Sequence, residues 1–222
     1  MTQLDLVIVG AGGFGREVLG YATDAFAGEP AHRVAGFADD NPRALDGFDL
    51  AVGVLGSVRD VPISATTRFV VAVGDAAVRR ALADVVRARG GRLLTVVHPS
   101  AYIAPGARLG DGCVLCPFAF VGTAAILGAN VAVNAHASVG HDAIIGANCV
   151  FSPYSAVNGA AELGDEVFLG THATVFPRRR IGHGAKVSAG AVVHRDVPAA
   201  ALAVGNPAKS RVMFAEAAAS RC

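Results

Sequence analysis

The sequence predicts two folds in series: an α/β domain over residues 1–98 and, over residues 99–222, a parallel β-helix of hexapeptide repeats with a C-terminal tail. Three observations carry this. From Ile103 to Val193 every sixth residue is bulky and apolar, sixteen times in unbroken phase. A small residue stands four positions after most of them. Ahead of the repeats, strand patterns alternate with helical stretches around a Gly-rich turn.

In the first domain, Leu4 to Val9 reads as a buried parallel strand. It runs into Gly10-Ala11-Gly12-Gly13-Phe14-Gly15 and then a helix to about Phe26. Arg33 to Ala38 is a second strand, ending at Asp39-Asp40-Asn41-Pro42. Arg68 to Val73 is a third, followed by Gly74-Asp75 and a helix over 76–89. Leu93 to Val97 is a fourth, leading to His98-Pro99-Ser100. Strands alternating with helices imply a small parallel sheet. Gly10-x-Gly12-x-x-Gly15 has dinucleotide-fold spacing, directly after a strand and opening a helix. Such glycines permit a tight turn and bring backbone N–H groups to a phosphate at the helix N-terminus. About 98 residues fall short of two mononucleotide halves, so a single nucleotide, such as a nucleotide-sugar, fits better than NAD. Asp39 and Asp40 stand where they can accept hydrogen bonds from a ribose or a base. A Gly-rich turn without a ligand is the plainer alternative.

A six-residue period fits neither a helix nor an alternating strand. It fits a parallel β-helix. Three hexapeptides close a triangular coil, so residues 18 apart stack at roughly 4.8 Å. The bulky residue fills the interior and the small one sits at the bend. Sixteen repeats give about five coils, enough for a continuous core. Phe151 is the one aromatic in the bulky series. Gly often follows the bulky residue, at 110, 122, 128, 140, 146, 164, 170 and 182, where it is expected to supply relaxed φ in the turn. Val131 and Val167 are mild exceptions at small positions. Arg179, within Arg178-Arg179-Arg180, is a large one and predicts a distorted or outward-bulged turn.

Composition narrows the function. The chain is 53% hydrophobic with a net charge of +1, as in soluble globular proteins. Neither domain has the basic excess of a nucleic-acid binder. The start has no charged-then-apolar leader and no spanning segment is read, so a cytoplasmic protein without membrane insertion is expected. Cys113-x-x-Cys116 resembles a redox or zinc pair, but Cys113 and Cys149 fall on small positions of the repeat and read as packing residues. With Cys222 the four make no disulfide framework, and no metal site is expected.

Among the histidines at 136, 141, 172, 183 and 194, His141 stands out because Asp142 follows it. It is the third residue of its hexapeptide, on a turn edge outside the packed interior. Gly159 is one coil above and Pro177 two. Imidazole titrates near neutral pH and suits a general base, and a neighbouring carboxylate can orient it. Gly159 lets an acyl group approach the backbone, whose N–H can bind an oxyanion. An exposed turn histidine with no chemistry is the alternative.

Motifs in order along the chain add a resemblance. They are Gly10-Ala11-Gly12-Gly13-Phe14-Gly15-Arg16-Glu17, Gly36-Phe37-Ala38-Asp39-Asp40-Asn41-Pro42, Ala72-Val73-Gly74-Asp75, Val96-Val97-His98-Pro99-Ser100, Asn134, His141-Asp142, Gly159 and Gly205-Asn206-Pro207-Ala208-Lys209. From about residue 4 to 212 the chain resembles the bacterial sialic-acid O-acetyltransferase and UDP-4-amino-sugar N-acetyltransferase family. The resemblance implies a Rossmann-like first domain, a left-handed β-helix, and homotrimers with sites between subunits. It places catalysis on His141 and Asp142, and the nucleotide-sugar on Gly12, Gly13, Phe14, Asp39, Asp40 and Gly74. Acetyl-CoA falls on Asn134, Val150, Gly159, Thr171 and Ala189. Thr171 and Ala189, 18 apart, stack on one edge, as an extended pantetheine arm needs. Phe14 stands where some amino-sugar members carry His, and Val150 where some carry a polar residue. The arginines at 178–180 are placed either to meet CoA phosphates or simply to face solvent.

The activity expected is direct acetyl transfer from acetyl-CoA to a nucleotide-linked 4-amino sugar, with no acyl-enzyme. Sialic-acid-type O-acetylation by the same mechanism is the alternative. Two other classes compete. One is a zinc enzyme like γ-class carbonic anhydrases, using His136 and His141, for which the needed third histidine would fall on Ser100. The other is a nucleotide-sugar-binding scaffold without turnover.

Overall fold

The computed structural model describes residues 3–213, so Cys222 lies outside the described residues. The first part is a five-stranded parallel sheet. Its elements are β1 (Leu4–Val9), α1 (Gly13–Ala25), β2 (His32–Ala38), β3 (Val54–Gly56), β4 (Thr67–Val71), α2 (Ala76–Ala88) and β5 (Arg92–Leu93). The strand order is β3-β2-β1-β4-β5, with all pairs parallel. The central strands are buried on both faces, which explains their continuous apolar runs. Asp75 caps α2: its Oδ1 accepts from the N–H groups of Ala77 and Val78, both at 3.0 Å. Strand β3 is absent from the sequence reading, because three residues beside Gly53 carry no readable alternation.

The second part is a three-sided solenoid. Sixteen two-residue strands run from Tyr102–Ile103 to Val192–Val193, and each ends on the bulky residue of its hexapeptide. Partners lie 18 residues apart, as in Val121↔Val139 and Val133↔Phe151. The strands form three parallel sheets, called here faces I, II and III. Face I holds the strands ending at Leu115, Val133, Phe151, Leu169 and Val187. Face II holds those ending at Ile103, Val121, Val139, Val157, Val175 and Val193. Face III holds those ending at Leu109, Leu127, Ile145, Leu163 and Ile181. The bulky and small positions together make one core, with Phe151, Val131 and Val167 inside it.

Three expectations change. Leu93–Val97 is not one strand: Arg92–Leu93 closes the first sheet, and Val96–Val97 pairs with Val114–Leu115 as the first strand of face I. The glycine after the bulky residue is not the left-handed position. That position is three residues after, where Phe118, Ala124, Asn130, His136 and Asp142 have φ of 56–59°. The glycines instead let coils touch: a Cβ on Gly140 would lie 2.7 Å from the Gly159 nitrogen. The turn at Arg179 is not distorted, since Arg178 keeps φ at 58° and Arg180–Ile181 pairs with Glu162–Leu163 in register. The side chain adapts instead, reaching Asp196 at 3.7 Å.

The first part packs on the outer side of face I. Leu6, Val18, Phe37, Val96, Val114 and Cys116 share one buried cluster. Arg79 of α2 is fully buried between the two parts. Its guanidinium donates to the carbonyls of Asn130 at 2.7 Å, Val71 and Gly112. Burial lowers its pKa to about 10, so it stays charged at neutral pH, solvated by carbonyl oxygens. Arg80 pairs with Glu166 at 2.9 Å, and His98 with Asp24 at 3.2 Å. Burial also pushes the Cys116 and Cys149 thiols up to about 12, which keeps them neutral.

Candidate active site

The repeat carries His141 and Asp142 onto the corner between faces II and III, between strands Ser138–Val139 and Ile144–Ile145. Asp142 takes the left-handed turn position with φ 56°, which a short carboxylate side chain tolerates well. Its Oδ2 lies 2.7 Å from His141 Nδ1. A carboxylate accepts, so Nδ1 is the donor of this pair, and in the neutral ring that tautomer leaves the lone pair on Nε2. The two side chains are 69% and 61% exposed, so this pair faces outward from the chain that carries it.

Gly159 stacks one coil above, where Ala160 N–H donates to the His141 carbonyl at 2.8 Å. A Cβ at 159 would collide with His141 Nε2 and stand 2.6 Å from Cε1. The room over Gly159, expected to admit an acyl group, is taken by the imidazole itself. Glycine here seats the imidazole. The Gly159 N–H makes no hydrogen bond among the described residues and is free to donate.

The Gly-rich loop divides by cause. Gly10 has φ 99°, and a Cβ on Gly15 would collide with the Gly10 carbonyl, so the fold itself requires both. A Cβ added to Gly12, Gly13 or Gly74 would meet nothing within 4 Å, and none of the three has a left-handed φ. Gly12 is the N-cap of α1 with no side-chain cap, and the first turn holds no acidic residue. Uncapped N–H groups there suit an anion. Asp39 is already engaged: its Oδ2 accepts from Ala11 N–H at 2.8 Å and its Oδ1 from Asn41 N–H at 2.9 Å. It therefore shapes the loop. Asp40 is exposed, and with Gly10 and Val73 it lines a cavity of ≈ 200 Å³ at the strand ends. Phe14 is partly buried against the cluster beneath α1.

The remaining positions lie elsewhere on the prism. Asn134, Thr171 and Ala189 share the corner between faces I and II, where Gly190 N–H donates to the Thr171 carbonyl at 2.8 Å. Val150 is on face I and buried. The structure thus groups His141, Asp142 and Gly159 on one corner and Asn134, Thr171 and Ala189 on another. The I/II corner also carries a feature the sequence reading missed. Phe118, His136, Tyr154 and His172 stack with ring centroids 4.9, 4.8 and 5.1 Å apart. Their 18-residue spacing was the available signal. His136 is locked in this stack, one corner away from His141, so the two do not converge as zinc ligands within the chain. Among the described residues no group of three His, Cys, Asp or Glu is arranged to hold a metal ion.

Known proteins share this fold. Residues 5–86 match the family model of the PglD N-terminal domain. A histidine-to-asparagine mutant of perosamine N-acetyltransferase from Caulobacter crescentus, solved with CoA and GDP-perosamine, superposes with a TM-score of 0.85 at 33% identity, covering 93% of this chain and 96% of that one. The acetyltransferase domain of PglB from Neisseria gonorrhoeae, solved with acetyl coenzyme A, gives 0.85 at 30% identity over 94% of this chain and 100% of that one. A putative acetyltransferase, YvoF of Bacillus subtilis, is 54% identical over 43 residues, which span 19% of this chain and only 25% of that relative. Likeness along nearly the whole chain, at a third of its residues, places this protein in the hexapeptide-repeat acyltransferase family that includes perosamine N-acetyltransferase.

Proposed function

We propose that the protein transfers the acetyl group of acetyl-CoA to the amine of a nucleotide-linked 4-amino sugar. The observation that carries this is the His141 imidazole, seated on Gly159, with Nδ1 held by Asp142 and Nε2 left basic. The amine nitrogen attacks the thioester carbon while Nε2 takes its proton. The Gly159 N–H supports the oxyanion of the tetrahedral intermediate. The C–S bond then breaks, and the imidazolium returns the proton to the departing thiolate, giving the amide and free CoA. Asp142 orients the ring and steadies its cationic form. The solved relatives bound to CoA, acetyl-CoA and GDP-perosamine support both substrates and favour an amine over a hydroxyl as acceptor.

Residues 1–98 act as the Rossmann-like nucleotide-sugar unit and 99–222 as the transferase unit, whose hexapeptide coils are left-handed. Gly12, Gly13 and Gly74 give the sugar nucleotide room, with Asp40 at the rim. Asn134, Thr171 and Ala189 line the path of CoA, with Val150 alongside. One chain cannot close this site. The nucleotide unit lies over face I, and the II/III corner bearing His141 is opposite that face. A neighbouring copy must bring the missing half, which supports a homotrimer with sites between subunits. The reaction is assigned to the cytoplasm. No helix among the described residues is long and apolar enough to cross a membrane.

Thiol release from acetyl-CoA against a panel of nucleotide-linked amino sugars tests the reading. His141→Ala should lower kcat by roughly 10²–10⁴-fold. Near-wild-type turnover in that variant would remove His141 from the mechanism. A panel without any active 4-amino sugar would overturn the substrate class.

A further inference from the structure

We propose that Arg79 is a positioning residue for the transfer: by fixing the α/β unit on its own solenoid, it sets where the acceptor amine meets the His141 of a neighbouring copy. This rests on the shared site proposed above, in which one copy holds the sugar nucleotide and its neighbour supplies the imidazole.

The positions given to the sugar nucleotide, Gly12, Gly13, Asp40 and Gly74, all ride on the α/β unit, while His141 stands on a solenoid corner. The angle between unit and solenoid is therefore part of the catalytic geometry. A displacement of about 1 Å costs on the order of 10²-fold in rate. Between unit and solenoid lies the apolar cluster that includes Val18, Val96, Val114 and Cys116. Apolar burial is non-directional, so it holds the two together without setting an angle.

Arg79 adds direction. Among the described residues it is the one charged side chain that is fully buried. Its planar guanidinium spans both parts. Nη1 donates to the Val71 carbonyl at the end of β4 and to that of Val73, just beyond, at 3.5 Å. Nε donates to the Asn130 carbonyl at 2.7 Å and Nη2 to that of Gly112 at 3.5 Å, on successive coils of the III/I corner. Asn130 answers with its side-chain amide, which donates to the Arg79 carbonyl at 3.2 Å and to Asn148 Oδ1 at 2.9 Å. The strand end held in this way is the one that carries the candidate site. Val73 precedes Gly74, and it lines the cavity beside Asp40 together with Val78 and Leu82 from the helix of Arg79. The arrangement has a cost, since Asn130 Oδ1 is buried without a partner. An apolar contact would join the two parts without that cost, and what the fork adds is a fixed orientation. On the same edge, Arg80–Glu166 and Lys186–Asp75 are ion pairs with exposed members, which add little.

Arg79→Lys keeps the charge but loses the fork, and Arg79→Met loses both. With a nucleotide-linked 4-amino sugar, kcat should fall about tenfold for the first and on the order of 10²-fold for the second. KM for acetyl-CoA should hold, because the donor is assigned to the solenoid. Unchanged kcat in both variants overturns the proposal. So does a matching rise in KM for acetyl-CoA, which would mean that the solenoid itself is disturbed. Mixed oligomers then locate the defect. Co-expressed Arg79→Met and His141→Ala chains, each impaired alone, should regain about a third of wild-type turnover per mixed trimer, because one site in three joins an intact α/β unit to an intact His141. The control pair is Gly13→Trp, which fills the space proposed for the sugar nucleotide, with His141→Ala. Recovery in the control but not with Arg79→Met overturns the positioning role alone. A control pair that stays inactive overturns the shared site, and the proposal with it. Should Arg79→Met fail to fold, Arg79→Lys takes its place in the mixture. Asn130→Gly then adds a second reading: it keeps the left-handed turn, where φ is 58°, and removes only the returning amide. Its kcat should fall several-fold with KM for acetyl-CoA held, and an unchanged kcat there counts against Arg79 as well.

Discussion

Two sets of glycines in this chain, one in each half, differ in what surrounds them. In the solenoid, the glycines that follow the strands are pressed against the next coil. A Cβ on Gly122 would lie 2.6 Å from the His141 nitrogen, and one on Gly110 2.6 Å from the Ala129 nitrogen. In the α/β half, a Cβ added to Gly12, Gly13 or Gly74 would meet nothing within 4 Å. The first set exists because backbone must approach backbone. The second meets no such constraint among the described residues, and under the proposed function its open space receives the sugar nucleotide. Gly159 belongs to neither set: what it admits is the side chain of His141. Substituting one glycine of each kind by alanine separates the three causes.

The largest effect is expected at Gly159. Its added methyl meets an imidazole that is mostly exposed and can swing away, so stability should change by less than about 1 kcal/mol. The base would lose its seat, and kcat should fall on the order of 10²-fold, the lower end of the range for losing a general base. Kinetics and thermal unfolding on the same sample decide it. Unchanged turnover would mean that Gly159 does not position His141. A large loss of stability would move Gly159 into the coil-packing set.

Gly146→Ala should show the reverse pattern. Its Cβ would lie 2.5 Å from the Asp165 nitrogen and 2.5 Å from the Gly164 carbonyl carbon. These are backbone atoms fixed by the ladder, so the coils must separate locally. Overpacking of this kind costs about 1–3 kcal/mol. For a chain of this size each kcal/mol shifts Tm by about 2–4 °C. The turn lies between faces III and I, away from His141, so kcat per folded enzyme should hold. An unshifted Tm would show that the coils yield more easily than their geometry implies.

The two halves also differ in how much the sequence discloses. Each of the sixteen strands from Tyr102–Ile103 to Val192–Val193 ends where the six-residue period puts it, because each coil answers only to its neighbours and the rule is local. The same register brings His141, Asp142 and Gly159 together from the sequence alone. It misplaces the turn φ by two residues, because a glycine looks alike whether it serves φ or clearance. The α/β half depends on distant partners. The split of Leu93–Val97 between two sheets follows from which edge accepts each dipeptide. Arg79 has no signal at all, because its carbonyl partners at Asn130 and Gly112 lie far along the chain. Asp39 stands where a ribose ligand is expected, yet its carboxylate holds Ala11 and Asn41, and only the folded chain shows that prior engagement.

The smallest effect is expected at Gly13, and it is the most discriminating. Gly13 opens α1, and a methyl there meets nothing in the chain. Alanine narrows the unfolded ensemble and suits the helix, so stability should rise by about 0.4–1 kcal/mol. If the open space receives the phosphates of a sugar nucleotide, the same methyl intrudes between them and the first N–H groups of α1. KM for the nucleotide-sugar should then rise several-fold while KM for acetyl-CoA holds, because the donor is assigned to the solenoid. Opposite signs in stability and affinity at one residue are the mark of a glycine kept for a ligand. A variant that is more stable and binds the sugar nucleotide as tightly as wild type would return the loop to a plain turn, and leave the substrate unit to be sought around Asp40 and Gly74.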